Sequence, residues 1–168
     1  MATETQWSWY FAYGSNLDPG TFVGRRRMRP RDACVGRLDD YALVFDLPVG
    51  PGERGVANLR RTPGAHVHGV LYEIADEQAQ LLDRTEGVQH GFYTRAGVAV
   101  DLEHGTKRSA FTYVSQRGVA GRKPSRRYLG LLLRGARHHG LPLDWTAWLR
   151  SLPLAIDERD PQQELPLR

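Results

Sequence analysis

The chain has 168 residues, 40% hydrophobic and 25% charged, the balance of a globular protein with enough length for a real core. No apolar run approaches the length of a bilayer span, and the start Met1-Ala2-Thr3-Glu4-Thr5-Gln6 lacks the basic and apolar stretches of a secretory signal. One cysteine, Cys34, excludes an internal disulfide framework, and the net charge of +4 is carried almost entirely by arginine, Lys107 and Lys123 being the only lysines.

The first strand pattern is aromatic-rich and covers residues 9–13, stopping at Gly14. Asp18-Pro19 then reads as a helix start, a capping residue followed by proline at the first helical position. A second strand is expected at 41–45. The turn-rich stretch 48–52 separates it from a short strand at 56–59, and another strand covers 67–74. Asp76 is placed as the cap of a short helix that carries Leu81 and Leu82 and ends near Glu86, with Gly87 as its stop. Strands at 93–102 and 109–114 flank the turn Glu103-His104-Gly105 as a hairpin. Ser125 caps the clearest helix, whose Leu129, Leu132, Leu133 and Ala136 recur at helical spacing until Gly140 closes it. Asp144 opens a last helix through Trp145 and Trp148, stopped before Pro153, and the polar stretch 157–164 is expected to fray.

Five or six short strands with segregated helices argue for the α+β class, with a mixed, mostly antiparallel sheet small enough to curl into a barrel. One domain over 1–156 with a polar tail over 157–168 is expected, in the cytoplasm. The run Arg25-Arg26-Arg27-Met28-Arg29-Pro30-Arg31 is basic enough to meet a polyanion. It is short, however, and no aromatic is interleaved with it, so it reads as a solvated helix end or loop and no nucleic-acid partner is expected.

Two segments carry residues suited to chemistry. In Tyr13-Gly14-Ser15-Asn16-Leu17 the glycine permits close backbone approach, and the following amides can converge on a carboxylate or a developing oxyanion. In Asp83-Arg84-Thr85-Glu86-Gly87-Val88, the Glu86 carboxylate stands at the negative end of a helix dipole, an arrangement that favours holding a proton. His66 and His68 share one face of a strand, but no third metal ligand stands near them in sequence, and His138-His139 fit a helix C-terminus. Cys34 reads as a buried small hydrophobe and the four tryptophans as packing residues. Ser15 lacks the G-x-S-x-G setting of a nucleophile.

Residues Tyr10, Phe11, Ala12, Tyr13, Gly14, Ser15, Asn16 and Leu17 resemble the opening signature of the γ-glutamylcyclotransferase family. Arg84-Thr85-Glu86-Gly87-Val88, followed by Gly91-Phe92-Tyr93, is similar to that family's catalytic glutamate segment. Pro124-Ser125-Arg126-Arg127-Tyr128, Gly135-Ala136 and Gly140-Leu141-Pro142-Leu143 are similar to its C-terminal region. The likeness implies a small mixed barrel with flanking helices and conversion of a γ-glutamyl amide into 5-oxoproline and a free amine, part of glutathione-related metabolism. It implies Glu86 as proton acceptor and donor, residues 10–17 as substrate cradle, Tyr128 as a substrate contact and Tyr93 in the pocket wall. No metal or other cofactor is implied, and the partner is a small γ-glutamyl substrate met by a monomer or a homodimer. The leaving group is left open between an amino acid, a simple amine and a γ-glutamyl-protected secondary metabolite. A non-catalytic binding module of the same fold is the other alternative; a carboxylate binder would gain nothing from a negative Glu86 in its pocket.

Overall fold

The computed structural model describes residues 3–156. The stretch 157–164, expected to fray, and the rest of the tail lie outside the described residues. Five strands form a closed barrel in the order β1-β3-β2-β4-β5: β1 (Trp7–Ala12), β2 (Asp32–Pro48), β3 (Gly55–Ala75), β4 (Thr94–Asp101) and β5 (Lys107–Val114). All pairings are antiparallel except the seam, where β1 meets β5 in parallel at Tyr10 and Phe111.

Two strands are longer than their local patterns predict. The segment expected at 41–45 is the middle of the 17-residue β2, and the segments expected at 56–59 and 67–74 are one 21-residue strand. The breakers Thr62-Pro63-Gly64 do not end β3, because the long hairpin absorbs them in a bulge. Pairing jumps from Asp39–His66 to Tyr41–Arg61, leaving Pro63 without a ladder bond to donate. Asp40, at a left-handed φ of 65°, accepts the Gly64 N–H at 3.0 Å and closes the bulge.

Three helices follow the strand pairs: α1 (Asp76–Thr85), α2 (Arg126–His139) and α3 (Leu143–Ser151). Helix α2 matches expectation, with the Ser125 side chain accepting the Tyr128 N–H, Leu129, Leu132 and Ala136 buried, and Gly140 in the left-handed closing position. Helix α1 starts differently. Ala75 is the residue before it, and the Asp76 carboxylate accepts the Ser8 hydroxyl at 2.7 Å, a bond to β1 rather than a cap. Of its two leucines, Leu82 is fully buried and Leu81 exposed. Helix α3 begins one residue before Asp144, at Leu143. No helix among the described residues is long and apolar enough to cross a membrane.

The interior is filled by Phe11, Val67, Val70, Leu71, Ile74 and Val100, all fully buried. Helix α2 seats against the loop after β1 through Gly135. A Cβ there would fall 2.3 Å from the Leu17 backbone, so only glycine lets the helix brace that loop.

Candidate active site

Strand β1 ends at Ala12, and a 3-10 turn over Ser15–Leu17 follows at once. The turn's hydrogen bonds use the amides of Leu17 and Asp18, to the Gly14 and Ser15 carbonyls, so those of Ser15 and Asn16 are not consumed by it. The Tyr72 hydroxyl, donating to the Asn16 carbonyl at 2.9 Å, ties the turn to β3. Across from it, α1 ends at Thr85 with Glu86 in the C-terminal capping position and Gly87 at φ 70°, which stops the helix as expected.

These elements enclose a small cavity lined by Tyr10, Tyr13, Gly14, Ser15, Asn16, Ala57, Glu86, Tyr93, Tyr113 and Tyr128, with space for about two waters. The Glu86 side chain is 13% exposed. Its Oε1 accepts the Asn16 side-chain amide at 3.1 Å and the Arg26 guanidinium. The same Asn16 amide donates to the Tyr10 hydroxyl at 2.8 Å, while the buried Asn16 Oδ1 has no hydrogen-bond partner among the described residues.

The tyrosines form a wall that keeps its protons. Burial raises the phenols of Tyr10, Tyr13 and Tyr93 well above their ordinary range, and the nearby Glu86 charge adds to it in each case. Tyr113 is raised by burial and by its bond to Asp83, and Tyr128 is pushed up to about 12, chiefly by burial. The Tyr10 hydroxyl is held by the Asn16 side chain, and the other four are anchored on backbone or on α1. Tyr93 donates to the Ala57 carbonyl at 2.7 Å, Tyr128 accepts the Ala57 N–H at 3.0 Å, Tyr13 donates to the Tyr113 carbonyl at 2.5 Å, and Tyr113 donates to Asp83 at 2.6 Å. Glu86 is thus the carboxylate of a lining otherwise made of neutral groups.

Of the residues expected in the site, Glu86, Tyr10, Tyr13, Gly14, Ser15, Asn16, Tyr93 and Tyr128 come together on this cavity. Phe11, Ala12 and Leu17 do not line it; all three are fully buried in the core. Three residues escaped the sequence reading. Ala57 contributes its peptide group, which no side-chain pattern advertises. Tyr113 sits inside a hairpin strand with nothing to distinguish it from a packing residue. Arg26 belongs to a run read as solvated, yet its side chain is 20% exposed and ion-paired to Glu86.

The remaining candidates lie elsewhere. His66 and His68 place their rings 5.0 Å apart beside Trp145, and no group of three His, Cys, Asp or Glu able to hold a metal occurs among the described residues. His139 does more than end a helix, its Nε2 lying 3.0 Å from the Tyr72 hydroxyl. Cys34 is half-buried, with an Arg108 N–H 3.4 Å from its sulfur, and burial raises its thiol pKa.

The profile of the AIG2-like family matches residues 66–149. The γ-glutamylcyclotransferase of Homo sapiens is 31% identical over 150 residues, which span 85% of this chain and 77% of that protein. The γ-glutamylcyclotransferase of Bos taurus is 32% identical over the same shares of the two chains. A solved γ-glutamyl cyclotransferase superposes with a TM-score of 0.78 at 28% identity, covering 89% of each chain. With the barrel, the Gly14–Asn16 turn and Glu86 already assembled on one cavity, these relationships complete the assignment: the chain belongs to the γ-glutamylcyclotransferase family of enzymes.

Proposed function

We propose that the protein closes a γ-glutamyl amide on itself, releasing 5-oxoproline and a free amine, with Glu86 moving the proton. One observation carries this reading: a single, largely shielded carboxylate faces the turn Gly14-Ser15-Asn16 across a small cavity whose other polar side chains are neutral. A γ-glutamyl compound brings its own nucleophile. The α-amine attacks the γ-carbonyl, the new C–N bond closes a five-membered ring, and the C–N bond to the leaving amine breaks. Holding the chain folded accounts for much of the acceleration, since oriented intramolecular attack is worth roughly 7–11 kcal/mol.

The remaining task is proton traffic. Glu86 takes the proton that the α-nitrogen sheds and returns it to the departing nitrogen, so it ends the cycle as it began. Asn16 steadies the carboxylate through its amide, and its unpartnered Oδ1 stands ready for a substrate N–H. The Asn16 amide, unused by the turn's own hydrogen bonds, suits the glutamyl α-carboxylate, while the Ser15 amide meets the Tyr128 hydroxyl and holds the turn against that wall. Tyr93 and Tyr128, braced on the two sides of the Ala57 peptide, form a fixed wall against which the bent substrate rests.

The test is a panel of γ-glutamyl compounds incubated with purified protein and assayed for 5-oxoproline. Formation of 5-oxoproline with an equimolar amine supports the reading. Binding without turnover across the panel would point to the ligand-binding alternative.

A further inference from the structure

Beside the cavity lies a groove of about 630 Å³ that shares Ser15, Glu86, Tyr93 and Tyr128 with it. Its charged lining is mainly cationic: Arg25, Arg26 and Arg84 face it, and Glu86 is its only carboxylate. Its apolar wall includes Val56, Phe92 and Leu131. If the glutamyl head lies at the mouth of the small cavity, against the residues that the two spaces share, the amine it releases departs through this groove.

Arg26 is placed there by unusual backbone. Residues Gly20–Arg25 form a single π-helical turn, in which the Arg26 N–H reaches back five residues to the Thr21 carbonyl at 2.9 Å. Arg27 then adopts a left-handed φ of 55°, uncommon for a side chain of its size. The turn is moored by buried Thr21 and Phe22, and the Asp18 carboxylate accepts both the Thr21 N–H and hydroxyl. π-Turns and left-handed non-glycine residues concentrate at functional positions. Here they turn Arg26 inward onto Glu86 while Arg25 and Arg27 stay exposed.

We propose that Arg26 is the specificity-determining residue for the leaving amine, selecting amines that carry a carboxylate. This rests on the proton-shuttle reading of Glu86. When Glu86 holds the proton it is neutral, and the guanidinium beside it loses its counter-charge in a partly dry setting, which is unfavourable. A carboxylate on the leaving amine, lying in the cationic groove, replaces that counter-charge at the step where it is missing. A neutral amine gives Arg26 nothing in exchange for Glu86. Arginine suits this exchange because its fork can hold one carboxylate while releasing another.

The experiment compares two substrates that differ only in that group, γ-glutamyl-phenylalanine and γ-glutamyl-phenethylamine, with 5-oxoproline as readout. Wild-type protein should prefer the carboxylate-bearing compound. Arg26→Gln should reduce the ratio of the two kcat/KM values about tenfold or more, the scale of a lost charge-assisted contact. KM for the neutral compound should stay near its wild-type value, since that compound has no carboxylate for the guanidinium to hold, whereas a merely structural defect would raise both KM values. Arg26→Lys should recover part of the ratio. A folded Arg26→Gln protein with an unchanged ratio overturns the role of Arg26 alone, as does wild-type preference for the neutral compound. Absence of 5-oxoproline from both substrates with wild-type protein overturns the shuttle reading beneath it.

Discussion

Replacing Gly14 by alanine tests the cradle at a point where the structure fixes the size of the effect. The backbone itself would accept the change, since Gly14 has φ −116° and ψ −137°, outside the left-handed region. The difficulty is space. An added Cβ would stand 3.0 Å from the Tyr128 hydroxyl and 3.1 Å from the Ala57 Cβ, so one of them must yield by a few tenths of an ångström. Tyr128 can retreat only by stretching its 3.0 Å bond from the Ala57 N–H, which would leave a shielded donor poorly satisfied. An unsatisfied buried donor costs about 1–3 kcal/mol. Spread over a chain of this size, each 1 kcal/mol lowers Tm by roughly 2–4 °C, and the same loss expressed at the site is roughly five- to 150-fold in kcat/KM. The decisive assay is a double-mutant cycle. Tyr128→Phe alone should cost a similar amount, because it removes the acceptor of the Ala57 N–H outright, and in the Gly14→Ala background it should add little, because the crowding atom is gone and the bond is already weakened. Coupling of about 0.5 kcal/mol or more between the two is expected in melting and in kcat/KM. Strict additivity, or a Gly14→Ala protein indistinguishable from wild type, would refute the close packing of turn, Tyr128 and Ala57 on which the cradle depends.

Two other predictions concern stability and cofactors. Burial alone would raise the Asp18 carboxyl, but hydrogen bonds from Arg134 and Thr21 outweigh it and hold the folded pKa below the ordinary value. Its contribution is therefore fully present above the unfolded pKa of about 3.9 and is lost as pH falls through the folded one. The Tm advantage of wild type over Asp18→Asn should be constant from neutral pH to about 5 and shrink below about 4; an advantage that grows on acidification would contradict the sign. Dialysis against EDTA should leave 5-oxoproline formation unchanged, because the proposed proton transfer runs through Glu86 alone, and activity lost to EDTA and restored by zinc would mean that a metal takes part.

Much of this arrangement is legible in the sequence because it is local. The aromatic run before Gly14, the helix stop at Gly87 and the Ser125 cap each depend on residues within one turn of each other, and the structure has them where they are expected. What was not legible depends on distant partners. The segments at 56–59 and 67–74 read as two strands until Asp40, far away in sequence, closes the bulge between them. Closure of the barrel rests on a parallel contact between Tyr10 and Phe111 that no short-range periodicity encodes. Arg26 looks like its neighbours in a basic run, and only the five-residue backbone bond to Thr21 singles it out. The candidate site is legible in its loop and its carboxylate, whereas Ala57 and Tyr113 reach it from strands whose alternation marks only burial.

The most direct test of the central claim is single-turnover formation of 5-oxoproline by Glu86→Gln beside wild type. Glutamine keeps the shape of the side chain and can still meet Asn16, but it cannot carry the proton. With circular dichroism and substrate affinity near those of wild type, the rate should fall by at least about 10²-fold, the lower end for a lost general acid–base. A folded Glu86→Gln protein that forms 5-oxoproline at a near-normal rate would remove Glu86 from the reaction and contradict the account.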